Sequence, residues 1–134
     1  RWQQHLRVFF HEPVLMSEVS ETVNAYDIGV YALPPTSMNN TFALPNKFFQ
    51  FLQGRVALAI GPSPEMARLV REYGCGVVAK DFTSEALAAA IKQLTHEEVW
   101  RMKLGSHAAA KALNFERLVG VIRQVVLPGK AEAT

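Results

Sequence analysis

With 134 residues, 49% hydrophobic and 19% charged, the chain has the make-up of one ordinary globular domain able to bury about two-thirds of its unfolded surface. A formal net charge of +2 argues against a nucleic-acid binder, which needs basic residues clustered on one face. No apolar run approaches the ~20 residues that span a bilayer, nothing at the start reads as a signal peptide, and the single Cys75 excludes an internal disulfide. A cytoplasmic setting is expected, with at most a peripheral contact with the inner membrane face.

The hydrophobic pattern changes period repeatedly along the chain. RVFFH (7–11) reads as a short buried strand followed by Glu12-Pro13, and Ser17 as the cap of a helix running to about Tyr26. IGVYALPP, after Asp27, is a second strand closed by two prolines. The polar TSMNNT then reads as loop, leading to a helix from Asn46 to about Gln53 with Asn46 as N-cap. VALAIG (56–61) is a third strand, Ser63-Pro64-Glu65 a capped helix start ended by Gly74, and GVVAK (76–80) a fourth strand. From about 84 to 127 the chain is expected to be helical, with Ser84, Thr95 and Asn114 as caps and Pro128 as the stop. Short uninterrupted apolar strands alternating with helices predict an α/β, Rossmann-like three-layer α/β/α domain built on a parallel sheet.

Ligands of such sheets sit where strand carboxyl ends lead into helices. The loops expected there are Glu12-Pro13-Val14, the long PPTSMNNTFALPN, and Gly61-Pro62-Ser63. The middle one is the longest and the richest in side-chain amides, and loops of that length are usually functional. Lys47 follows it directly, in a first helical turn without any acid. A helix start carries about half a positive charge, so a lysine there is mildly unfavourable unless an anion joins it. The plain alternative is a solvated lysine at a cost of about half a kcal/mol.

Other constellations carry less. Cys75, between two glycines, has no basic or histidine neighbour and reads as an inert buried thiol. His5, His11 and Glu12 match no metal-ligand spacing, and His96-Glu97-Glu98-Val99-Trp100 lacks the second histidine of a zinc protease motif, so no metal is expected. Glu65 reads as a complement to its helix dipole. Trp100, Met102 and the stripe Leu118, Val119, Ile122, Val125 and Val126 read as packing surface, the stripe as core or as a face covered by a missing domain.

From about Val8 to Val126 the sequence resembles the carboxyl-terminal, donor-binding domain of a GT-B fold glycosyltransferase, of the group 1 or glycogen-synthase-like type. The segments that carry the resemblance are FFHEPV, AYDIGVYALPP, NNTFALPNKFFQFL, AIGPSPEMARLVREYGCGVVAKDFTSEALAAAI and NFERLVGVIRQVV. NNTFALPNKFF is the most specific of them. The resemblance implies a single partial domain spanning 1–134, one half of the two-domain fold, whose amino-terminal acceptor domain is outside the chain. The partners it implies are that acceptor domain and a nucleotide-sugar donor, used as substrate without a cofactor. Glu12, Pro13 and Val14 would then lie near the base. Asn39, Asn40, Thr41, Leu44, Pro45 and Asn46 would wrap the diphosphate and sugar, and Lys47 would stabilise the departing diphosphate. Gln50 stands where such enzymes usually carry a ribose-binding glutamate, and Gln53-Gly54-Arg55-Val56-Ala57 replaces their Gly-x-Pro-Val turn. The activity implied is sugar transfer, retaining in stereochemistry, with no turnover by this chain alone. A sugar-nucleotide epimerase of similar fold and a non-catalytic nucleotide-sugar binding domain are the alternatives.

Overall fold

The computed structural model describes residues 6–126. It contains a three-stranded parallel sheet in the order β1 (Ile28–Tyr31), β2 (Ala57–Ile60), β3 (Gly76–Val78). Helices α3 (Asn46–Gln53) and α4 (Pro64–Tyr73) make the two crossovers, and α5 (Ser84–Lys92), α6 (His96–Ala112) and α7 (Phe115–Val126) follow. Two short helices, α1 (Val19–Val23) and α2 (Met38–Thr41), lie before β1 and between β1 and α3. The architecture is the expected Rossmann-like α/β one.

The alternation of strand side chains divides the core in two. Leu58 and Ile60 of β2 pack with Phe48 and Leu52 of α3, with Met66, Leu69 and Val70 of α4 and with Ala109 of α6. Ala59 faces the other way, where Ala79, just after β3, and Leu87 of α5 cover it and Ile28, Val77 and Ile91 pack around them. Thus α3, α4 and α6 form one layer, the sheet the second and α5 the third. All four β2 residues are buried, as befits a central strand covered on both faces. Gly29 lets α3 lie close on β1, since a Cβ there would stand 2.8 Å from the Phe51 ring. Ser106 of α6 donates to the Val56 carbonyl at 2.6 Å, securing that helix to the start of β2.

Several boundaries differ from expectation. Residues 7–11 form no strand, and Phe9 and Phe10 are 76% and 64% exposed. Three consecutive apolar residues, Val8 to Phe10, resemble a strand in sequence, but strand formation needs a neighbour to pair with, and no described segment supplies one. Residues 16–26 form a 3-10 turn (Met16–Glu18) and the five-residue α1 rather than one helix; Ser17 lies inside the turn, and the Leu15 amide bonds the Glu18 carboxylate. Thr83, not Ser84, caps α5 by accepting the Ala86 amide at 3.2 Å. The Thr95–Glu98 capping box and the Asn114 cap are present as expected. Glu98's carboxyl lies below its ordinary pKa because Thr95's backbone and hydroxyl donate to it. Gly74 closes α4 in the left-handed conformation, at φ 59°. Leu118, Ile122, Val125 and Val126 of α7 are half or more exposed, so within the described residues this stripe is surface rather than core. Trp100 is likewise exposed. His5 and Pro128 lie outside the described residues.

The Gln53–Ala57 turn has its own geometry. Gly54 stays in the helical region, and a Cβ there would stand 2.2 Å from a Val23 methyl, so its smallness serves the α1 contact. The left-handed residue is Arg55, at φ 57°. That conformation costs a non-glycine residue about 1–2 kcal/mol. Bonds from Arg55 to the Gln53 carbonyl, 2.6 Å, and to the His107 ring, 3.2 Å, offset part of it.

Cys75 is fully buried, and burial pushes its thiol up to about 11, so it is neutral at physiological pH. The thiol should react with Ellman's reagent at pH 8 only after denaturant unfolds the chain. Prompt stoichiometric labelling of the native protein would contradict this burial.

Candidate functional site

Register aligns the three strand ends: Tyr31 pairs with Ile60, and Ile60 with Val78. The segments 32–45, 61–63 and 79–83 therefore leave from one sheet edge, with α3, α4 and α5 starting just beyond. Positive helix ends and free backbone amides thus gather at this carboxyl edge.

The segment 32–45 is not all loop. Its TSMNNT stretch contains α2, capped by Ser37, whose hydroxyl accepts the Asn40 amide at 3.1 Å. Asn40 Nδ2 donates to the Thr36 hydroxyl at 2.8 Å, and the Thr41 hydroxyl donates to the Ser37 carbonyl at 2.9 Å. Asn40 and Thr41 are thereby engaged in local bonds, whereas Asn39 is exposed. The sequence shows only a polar run here; Ser37 followed three residues later by Asn40 was the available sign of a turn.

Leu44 and Pro45 lead into α3. Pro45, not Asn46, occupies the N-cap position, with φ −72° and ψ 155°. Its ring fixes φ, and the chain becomes helical one residue earlier than expected. Proline has no side-chain acceptor, so α3 starts without a side-chain cap. The Phe48 amide bonds the Pro45 carbonyl at 3.0 Å. Asn46 and Lys47 occupy the first turn, with both side chains exposed.

The Lys47 ammonium lies over the Tyr31 ring, 5.8 Å from its centroid. An exposed cation–π contact is worth about 0.5–1 kcal/mol, comparable to the cost of a cation at a helix start. Tyr31 is the last residue of β1, so this contact holds the positive charge at the carboxyl edge. Sequence reasoning did not find Tyr31. Its place at the strand end was visible, but its face-to-face relation with Lys47 depends on how α3 docks.

Gln50 is half-buried, one turn further along α3, and its Nε2 donates to Met16 Sδ at 2.8 Å. That contact joins the 3-10 turn to α3; Glu12, Pro13 and Val14, upstream of it, are exposed. Because 7–11 is not a strand, Glu12, Pro13 and Val14 are not at a strand end, which corrects the placement expected from the sequence. A groove of about 1040 Å³ runs between α3 and α7, lined by Asn46, Phe49 and Gln53 and by Leu113, Leu118 and Val121 among others.

The other two segments differ from the first. In 79–83, Asp81 is held below its ordinary pKa, first by the Thr83 hydroxyl and then by the Thr83 amide. In 61–63, Ser63 heads α4, while Glu65 in the first turn pairs with Arg68 at 3.3 Å. No group of three or more metal-ligating side chains occurs among the described residues, and no described helix is long and apolar enough to cross a membrane. Searches of family models, curated proteins and solved structures find no match to this chain.

Proposed function

We propose that this chain is the donor-binding half of a GT-B fold glycosyltransferase, and that a nucleoside diphosphate-sugar seats its diphosphate on the start of α3. The observation that carries the reading is the uncapped α3 terminus at the sheet's carboxyl edge, with the Lys47 ammonium held beside it over Tyr31. Backbone amides, helix dipole and ammonium there share one sign, which suits a diphosphate better than a neutral ligand.

The chemistry follows from that charge. Sugar transfer breaks the anomeric C–O bond, and negative charge grows on the departing diphosphate. Groups fixed in advance toward that charge stabilise the transition state more than the ground state. In this reading Lys47 and the Asn46 and Lys47 amides receive the phosphates, the exposed Asn39 reaches the sugar while Asn40 holds its loop through Thr36 and Ser37, and Gln50 meets the ribose. The base lies toward Glu12–Val14. The acceptor and any catalytic base belong to a separate acceptor domain.

A binding-only role is a second reading, favoured by Gln50: an amide there accepts ribose hydroxyls more weakly than a carboxylate. Titration of the ¹⁵N-labelled chain with UDP, GDP and ADP tests the common ground. Amide shifts should centre on Asn39–Gln50, and Gln50→Glu should tighten the preferred nucleotide. Silence of that segment at millimolar nucleotide would end the reading. Unchanged affinity in Gln50→Glu would remove the ribose from this position.

A further inference from the structure

Ser63 is 1% exposed, and its Oγ has no hydrogen-bond partner. An orphaned buried hydroxyl is uncommon in a folded protein, because desolvating it is costly. This one stands at the N-cap of α4, a ten-residue helix, yet does not cap it. The other hydroxyl caps show what is missing. Ser37, Thr83 and Thr95 each accept a first-turn amide, with ψ of 165°, 151° and 162°. Ser63 has ψ 127°, and its hydroxyl makes no such bond. Both the Oγ and the first-turn amides of α4 are thus left without each other. They lie just past the carboxyl end of β2, whose last residue pairs with Tyr31 of β1, the residue beneath the Lys47 ammonium.

We infer that the start of α4 is a subsite for a hydroxyl-rich group, and that Ser63 is its specificity-determining residue. The inference rests on the donor reading above and assigns this subsite to the sugar. The chemistry disfavours a second phosphate. Pro64 removes one amide from the first turn, and the Glu65 carboxylate there, paired with Arg68, leaves the turn with mixed rather than purely positive charge. A sugar hydroxyl suits such a mixture, since it donates to a carboxylate while accepting from a serine hydroxyl or a backbone amide. The Ser63 hydroxyl turns about one bond, and at an N-cap one staggered position directs it to the mouth of the first turn. Neighbouring Pro62 and Glu65 are half-exposed, so that mouth borders solvent.

The test compares nucleoside diphosphates with their sugar conjugates on this chain and on Ser63→Ala: UDP with UDP-glucose, GDP with GDP-mannose, ADP with ADP-glucose. The wild type should bind one conjugate more tightly than its parent diphosphate. Ser63→Ala should erase that advantage, about five- to tenfold, and leave the diphosphate affinity unchanged. Its melting temperature should be unchanged or higher, because it removes a hydroxyl that bonds nothing in the unliganded protein. An advantage that survives Ser63→Ala overturns the inference and spares the donor reading. So does a lowered melting temperature, which would make the hydroxyl a structural one. Absence of binding by every diphosphate and conjugate overturns both.

Discussion

Phe48→Ala should cost about 3–5 kcal/mol of folding stability, the largest loss expected from any single truncation in α3. Phe48 is 0% exposed and belongs to the cluster with Leu52, Leu58, Ile60 and Met66, so the cavity would open where α3 meets the central strand. Its ring also meets Phe49 edge-on, with centroids 5.5 Å apart. A domain's whole stability is typically about 5–15 kcal/mol, so the variant would keep only part of it. Urea denaturation should show a much lower midpoint with little change in slope. Phe49→Ala, at a half-buried position, should cost clearly less. The comparison bears on function because Phe48 follows Lys47 directly and its amide bonds the Pro45 carbonyl. If Phe48→Ala cost less than about 1 kcal/mol, α3 would not be pinned to the sheet, and its start could not be a preorganised site.

The parts of the fold that were legible in sequence are those set by local chemistry. VALAI is a short run of apolar residues without a polar interruption, as suits a strand buried on both faces, and its last four residues form β2. Thr95 with Glu98 spells a helix start in four letters and Asn114 marks another as a cap, and those starts are where they were expected. Gly74 marked the end of α4 because a left-handed residue there favours glycine. What failed depends on partners far along the chain. RVFFH has the composition of a strand, but pairing is decided elsewhere. At Asn46 the error was a single residue: an asparagine beside a proline looks like a cap, yet the proline itself took the non-helical position. The left-handed Arg55 carried no sequence sign at all, because arginine rarely adopts that conformation and its bonds to the Gln53 carbonyl and the His107 ring appear only in the fold.

The candidate site divides the same way. Lys47 drew notice through its conflict with the helix dipole, which is local. The contacts that now define its surroundings, Tyr31 beneath the ammonium and Met16 against Gln50, join residues 16 and 34 positions apart in the chain. Ser63 was legible as a cap position, but a serine that withholds its hydroxyl has the same letter as one that gives it.

Lys47→Ala should weaken nucleoside diphosphate binding about tenfold or more, corresponding to the roughly 1.5–3 kcal/mol of a hydrogen bond to a charged group. Two partners compete to account for this lysine. The Tyr31 ring alone could offset its unfavourable place at a helix start, since the two energies are of similar size. In that case Lys47→Ala would leave affinity intact and change stability by no more than about half a kcal/mol. If a diphosphate is the partner, affinity falls while stability stays nearly constant, because the exposed side chain packs against little else. Ionic strength separates the two accounts further. Salt should weaken wild-type binding more steeply than that of Lys47→Ala, since the variant has one fewer charge to screen. Lys47→Arg should keep the steep salt dependence and recover part of the affinity, its planar fork meeting phosphate with a different geometry. Equal salt slopes in wild type and Lys47→Ala would leave the ammonium to Tyr31 and move the diphosphate away from α3.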